Sequence, residues 1–123
     1  MVFTSVGKQF VAWSLGSDVG NYINHIGIGD GSGTALESNV TLVSERNRTQ
    51  ITGSPNFTTA QKVSFQADFN SVQMSGISLT EIGLFNQASG TGFPGSVWLR
   101  EAFGSVVFDG GNELQILTTL EVL

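Results

Sequence analysis

The chain has no cysteine, a single histidine, two prolines and only five basic residues. Without cysteine there can be no disulfide, thiolate metal site, iron–sulfur cluster or cysteine nucleophile, and the redox compartment stays open. Any Ser-His-Asp arrangement must use His25. That residue lies in a strand-like stretch, Tyr22-Ile23-Asn24-His25-Ile26, with no neighbouring acid until Asp30, so a structural or interface role is expected. The five bases are scattered and outnumbered by ten acids, for a net charge of −5, which argues against a nucleic-acid partner. No stretch approaches the roughly 18 consecutive apolar residues of a membrane span. The start, MVFTSVGKQFVAWSLGSD, has no basic region ahead of an apolar one, so the expectation is a soluble protein that begins at its own initiator Met.

Charge is scarce as well. Only 12% of residues are charged, about half the usual share for a soluble domain. What fills the 123 positions instead is 40% hydrophobic residues, nine Phe among them, with 16 Gly and 25 Ser or Thr. That is core material for one domain and too little chain for two. A surface so poor in charge suits a subunit packed against others.

The spacing Phe3, Val6, Phe10, Trp13 predicts a short helix over the first fifteen residues, capped by Thr4 or Ser5 and stopped at Gly16, with Gly7 counting against it. No other helix is expected. After Gly20 the pattern is β. Tyr22 to Ile28 leads into a glycine-rich loop, and the polar string within Leu42 to Ile51 reads as an edge strand or arm. Val63, Phe65, Ala67 and Phe69 alternate with polar neighbours as in a half-buried antiparallel strand. The change of parity between Leu79 and Ile82 predicts a β-bulge near Thr80-Glu81. Pro94-Gly95 marks a hairpin loop over Asn86 to Ser96. Its return strand places Val97, Leu99 and Phe103 on one face and Trp98 and Arg100 on the other. Asp109-Gly110-Gly111-Asn112 turns the chain into a last strand whose Leu114, Ile116, Leu120 and Val122 point inward. These elements predict a mainly β domain, an antiparallel β-sandwich or small barrel with one short N-terminal helix, spanning residues 1–123.

Chemistry is harder to find. Asp30-Gly31-Ser32-Gly33-Thr34 begins like a calcium loop but lacks the later carboxylates, so a tight turn held by the Asp side chain is expected and no metal. Gly27, Gly29, Gly31 and Gly33 alternate strictly, which does not fit Gly-x-Gly-x-x-Gly, and no helix follows to bind a phosphate. No pair of acids stands out for glycoside hydrolysis. Three Asn-x-Thr sequons, at Asn39, Asn47 and Asn56, are what this Ser/Thr content produces by chance. No enzyme activity and no cofactor are expected.

One resemblance rises above composition. It is carried by Gly27-Ile28-Gly29-Asp30-Gly31-x-Gly33-Thr34, then Leu42, Glu45 and Arg48, then Thr80-Glu81-Ile82-Gly83-Leu84-Phe85. Trp98-Leu99-Arg100-Glu101-Ala102-Phe103 and Leu114-Gln115-Ile116-Leu117 complete it. In this order the chain resembles small β-rich structural proteins of tailed bacteriophage particles, of the tail, baseplate, fibre-attachment or head-decoration type. The resemblance implies a non-enzymatic virion subunit assembled in the host cytoplasm, with copies of itself and other virion proteins as partners. Aromatic residues are enriched at such contacts, so Trp13, Tyr22, Phe85 and Trp98, with Arg46 and Arg48, are the candidate interface residues. The polar loops Asn47 to Asn56 and Gln87 to Pro94 are candidates for reaching neighbours. Glu81 and Arg100 are expected to face each other across a hairpin as an exposed ion pair. The alternative is a carbohydrate-binding β-sandwich that holds a glycan with Trp98, Tyr22 and polar loops.

Overall fold

A computed structural model describes residues 1–16, 22–53, 55–59, 61–86 and 96–122. In chain order the elements are β1 (Val2–Phe3), α1 (Ser5–Gly16), β2 (His25–Gly29), β3 (Glu45–Gln50), β4 (Asn56–Thr59) and β5 (Lys62–Phe69). They continue with α2 (Ser71–Met74), β6 (Ser78–Phe85), β7 (Val97–Val107) and β8 (Leu114–Glu121). Two antiparallel sheets form, one of five strands ordered β1-β7-β6-β2-β3 and one of three ordered β4-β5-β8. Neither closes on itself, so the molecule is a sandwich and not a barrel.

The expected alternation of β5 builds the inner face of the small sheet, where Phe65, Ala67 and Phe69 are buried and Asp68 is exposed. Opposite them stand Ile26 and Ile28 of β2, Leu84 of β6 and Leu99 of β7, all in one core cluster with Ile116 of β8. The bulge expected in β6 is present, with the register shifting between Leu79 and Glu81. β3 is the edge strand that its polar string suggested.

Several expectations are corrected. A second bulge between Leu84 and Phe85 lets Phe85 pair with Val97 while Leu84 pairs with Leu99. It puts Val97 and Leu99 on opposite faces and sends Trp98 into the core, away from Arg100. Phe3 belongs to β1 and not to the helix, because Thr4 is the cap: its Oγ1 accepts from Gly7 N at 2.9 Å while its own hydroxyl donates to Val97 O at 2.6 Å. A second helix exists. Asn70 and Gln73 exchange side-chain and backbone hydrogen bonds, a capping box that stabilises the single turn α2. Val122 is exposed and not inward, since it follows the end of β8. Residues 47–50 lie in β3 and Ile51 is buried, so the Asn47 to Asn56 segment is not a free arm. The Gln87 to Pro94 loop lies outside the described residues, although the strands flanking it pair as expected.

Gly7 has the opposite effect to the one its helix propensity suggests. A Cβ there would collide with the Trp98 backbone, so its absence is what lets α1 lie directly on β7.

Candidate functional site

β2 alternates Ile and Gly: Ile26 and Ile28 face the core, while Gly27 and Gly29 leave the outer face of the sheet bare. Gly83 lies beside Gly27 on β6 and extends this surface. Side chains from neighbouring strands fill the space. A Cβ on Gly27 would meet Glu45 and Phe85 at 2.8 Å, and one on Gly31 would meet Glu81 at 2.9 Å. The glycine pattern therefore makes room for buried side chains.

Two ion pairs occupy that room. Arg48 Nε donates to Glu45 Oε2 at 2.7 Å, and the Arg48 guanidinium lies over the Phe85 ring, 3.6 Å from its centre. Arg100 Nη2 donates to Glu81 Oε2 at 2.8 Å, with both side chains buried. The expected Glu81–Arg100 pair thus forms, but inside the protein and not at its surface. Its remaining valences tie down residues 30–44, a stretch with no helix or strand. Glu81 accepts from Ser44 N at 2.8 Å and Val43 N at 3.1 Å. Arg100 Nη1 donates to Thr34 O and to Asn39 Oδ1, both at 3.1 Å. Leu42, Phe85 and Val97 form a small second core beneath the same segment.

The motif residues singled out in the sequence therefore meet in one layer. Gly27, Gly29, Gly31, Leu42, Glu45, Arg48, Glu81, Gly83, Phe85 and Arg100 all lie between the five-stranded sheet and the segment that covers it. Their chemistry is already spent on one another. Burial raises the Glu45 pKa and outweighs the opposing effect of its bonds to Arg48. His25, on the same outer face, has its pKa lowered first by burial and then by the charge of Arg48, and its Nδ1 lies 2.6 Å from Asn24 Oδ1. Asp30 does not close its own turn; its carboxylate accepts from Arg46 Nη1 at 2.7 Å. Among the described residues no three His, Asp or Glu side chains gather in a way that could hold a metal ion.

The candidate interface residues separate accordingly. Phe85, Trp98 and Arg48 are buried within the chain and not displayed at its surface. Trp98 is only 4% exposed and stacks on Phe10 at 5.1 Å between ring centres, so it offers no open platform for a sugar. Arg46 is surface-exposed but held by Asp30. Trp13 and Tyr22 are exposed.

Tyr22 opens onto a groove of about 780 Å³ between α1, β4 and the ends of β5 and β8. Its rim is apolar and open to water: Leu15 is 83% exposed, Val122 75%, Phe57 74% and Tyr22 59%. Sequence reading missed Leu15, Phe57 and Val122. One signal was present, because Val11 and Leu15 sit four residues apart beside the Phe10–Trp13 stripe and give α1 apolar side chains beyond the face that packs on the sheet. No helix among the described residues is long and apolar enough to cross a membrane.

Compared with known proteins, the chain matches no family model, no curated protein and no solved structure.

Proposed function

We propose that the chain is a non-enzymatic structural subunit of a tailed-phage particle, repeated symmetrically on the tail and baseplate or on the capsid surface. The observation that carries this reading is the groove rim, where Leu15, Tyr22, Phe57 and Val122 leave large apolar side chains in water on one side of a small protein. Contiguous apolar patches of this kind mark contacts with other macromolecules. Four of the fifteen charged side chains, Glu45, Arg48, Glu81 and Arg100, are withdrawn into ion pairs on the buried layer. The surface is therefore poorer in charge than the composition alone implies, as subunit contacts are. The phage setting comes from the resemblance of the motif residues, and virion partners and copies of the chain itself follow from it.

The test is assembly. Sedimentation of the purified protein is expected to show a discrete multimer, or particles grown without it are expected to bind it at a saturating stoichiometry set by their symmetry. A stable monomer with no affinity for such particles overturns the reading.

A further inference from the structure

We propose that the groove beside α1 binds an extended, uncharged apolar segment of a partner protein, one of whose main-chain carbonyls accepts the Trp98 Nε1–H. This deepens the assembly reading and rests on it for the partner being a protein. Three observations carry it.

The first is the indole nitrogen. Trp98 lines the groove, yet its Nε1 is buried and has no hydrogen-bond acceptor among the described residues. Buried N–H groups in folded proteins nearly always find a partner, so this one marks a place where an acceptor is missing. The second is depth. Trp98, Phe65 and Ile23 are the buried liners and form the bottom, while Leu15, Tyr22, Phe57 and Val122 are among the exposed ones above it. An acceptor for Trp98 must therefore sit within an apolar body. An extended peptide supplies this, with a neutral carbonyl at every residue and apolar side chains on alternate positions. A fatty acid has acceptors only at its charged head, which is costly to bury against Phe65 and Ile23. The third is charge. The charged liners are Lys62 and Glu121, one of each sign, which face each other in the β5–β8 register. Among the described liners the net charge is zero, which matches an uncharged segment.

Because Nε1 is shut off from water in the free protein, the incoming carbonyl reaches it only when side chains of the groove move aside.

The experiment follows the Trp98 Nε1–H resonance by NMR, identified by its persistence in Trp13→Phe. The probe is a capped, uncharged peptide alternating leucine with serine, with dodecanoate in a parallel titration. The peptide is expected to move the Trp98 resonance downfield in a saturable way, and dodecanoate to leave it in place. Trp98→Phe keeps the aromatic contact with Phe10 and is expected to weaken peptide binding about tenfold, the effect of one neutral hydrogen bond. Leu15→Glu and Val122→Glu change side chains already in water, so they should abolish binding with an unchanged melting temperature. Peptide that fails to move the resonance, binding indifferent to Trp98→Phe, or a response to dodecanoate each overturns the proposal. None of these results bears on whether the protein joins particles, so the assembly reading stands or falls by its own test.

Discussion

Glu81 and Arg100 lie on neighbouring strands, two residues out of direct register, and close a 2.8 Å ion pair with both side chains removed from water. Burying two charges is expensive, and what offsets it here is hydrogen bonding from all sides: Val43 N, Ser44 N, Gly33 O, Thr34 O and Asn39 Oδ1 complete the set. The pair is the fastening between the five-stranded sheet and residues 30–44.

Removing one partner leaves the other charge buried alone. Glu81→Ala or Arg100→Ala is expected to destabilise the fold by about 3–5 kcal/mol, read as a shift in the urea midpoint. The double variant Glu81→Leu/Arg100→Met is expected to recover a substantial part of that loss. A single variant within about 0.5 kcal/mol of the parent, the range of an ordinary surface substitution, contradicts the fastening role.

Gly7→Ala sets two effects against each other. Helix propensity favours alanine by about 1 kcal/mol. The new Cβ meets the Trp98 backbone, which cannot swing away as a flexible side chain would. Overpacking of this kind costs about 1–3 kcal/mol, so net destabilisation is expected. Gly16→Ala, where nothing stands within 4 Å, serves as the control and is expected to be harmless. Thermal melts of the two variants decide the matter; equal stability removes the account of how α1 docks.

Gly31→Ala probes the bare face of the sheet. Its Cβ would meet Val43 Cβ at 2.5 Å and Ser44 N at 2.7 Å, pushing the covering segment off Glu81. A loss of about 1–3 kcal/mol is expected. Faster amide exchange at Val43 and Ser44 should accompany it, because their donors would lose Glu81. Stability loss with those two amides still protected places the strain elsewhere.

The lone histidine permits a clean pH experiment. The His25 pKa lies below 6.5 in the folded protein, through burial and the Arg48 charge, so the folded state binds the proton less readily than the unfolded one. Its contribution to stability is therefore complete above pH 6.5 and lost as the pH falls through the lowered value. NMR titration of the ring is expected to give a midpoint below 6.5 when folded and near 6.5 in urea. A folded midpoint at or above 6.5 refutes it. Asn replacing His25 should flatten the acid side of the stability profile.

Much of the architecture was set by the sequence alone. Side-chain period decided β5 and the inner half of β2, since alternate apolar residues can be buried only on one face of a strand. The parity change at Thr80-Glu81 announced the first bulge, and Thr4 marked the start of α1. The capping pair Asn70 and Gln73 is equally legible at α2. Tertiary structure decided the rest. The strict glycine alternation is plain in the sequence, yet only the sheet order β6-β2-β3 reveals that Glu45, Phe85 and Glu81 fill the space it leaves. The same holds for Glu81 and Arg100, whose pairing follows from strand adjacency but whose burial depends on residues 30–44 folding over them. The second bulge could not be read locally, because Val97, Trp98 and Leu99 are all apolar and any facing satisfies them; the partner strand chose. The groove was least visible of all. Leu15, Phe57 and Val122 are far apart in the chain and look like core residues, and only packing, which fills the interior with others, leaves these three in water.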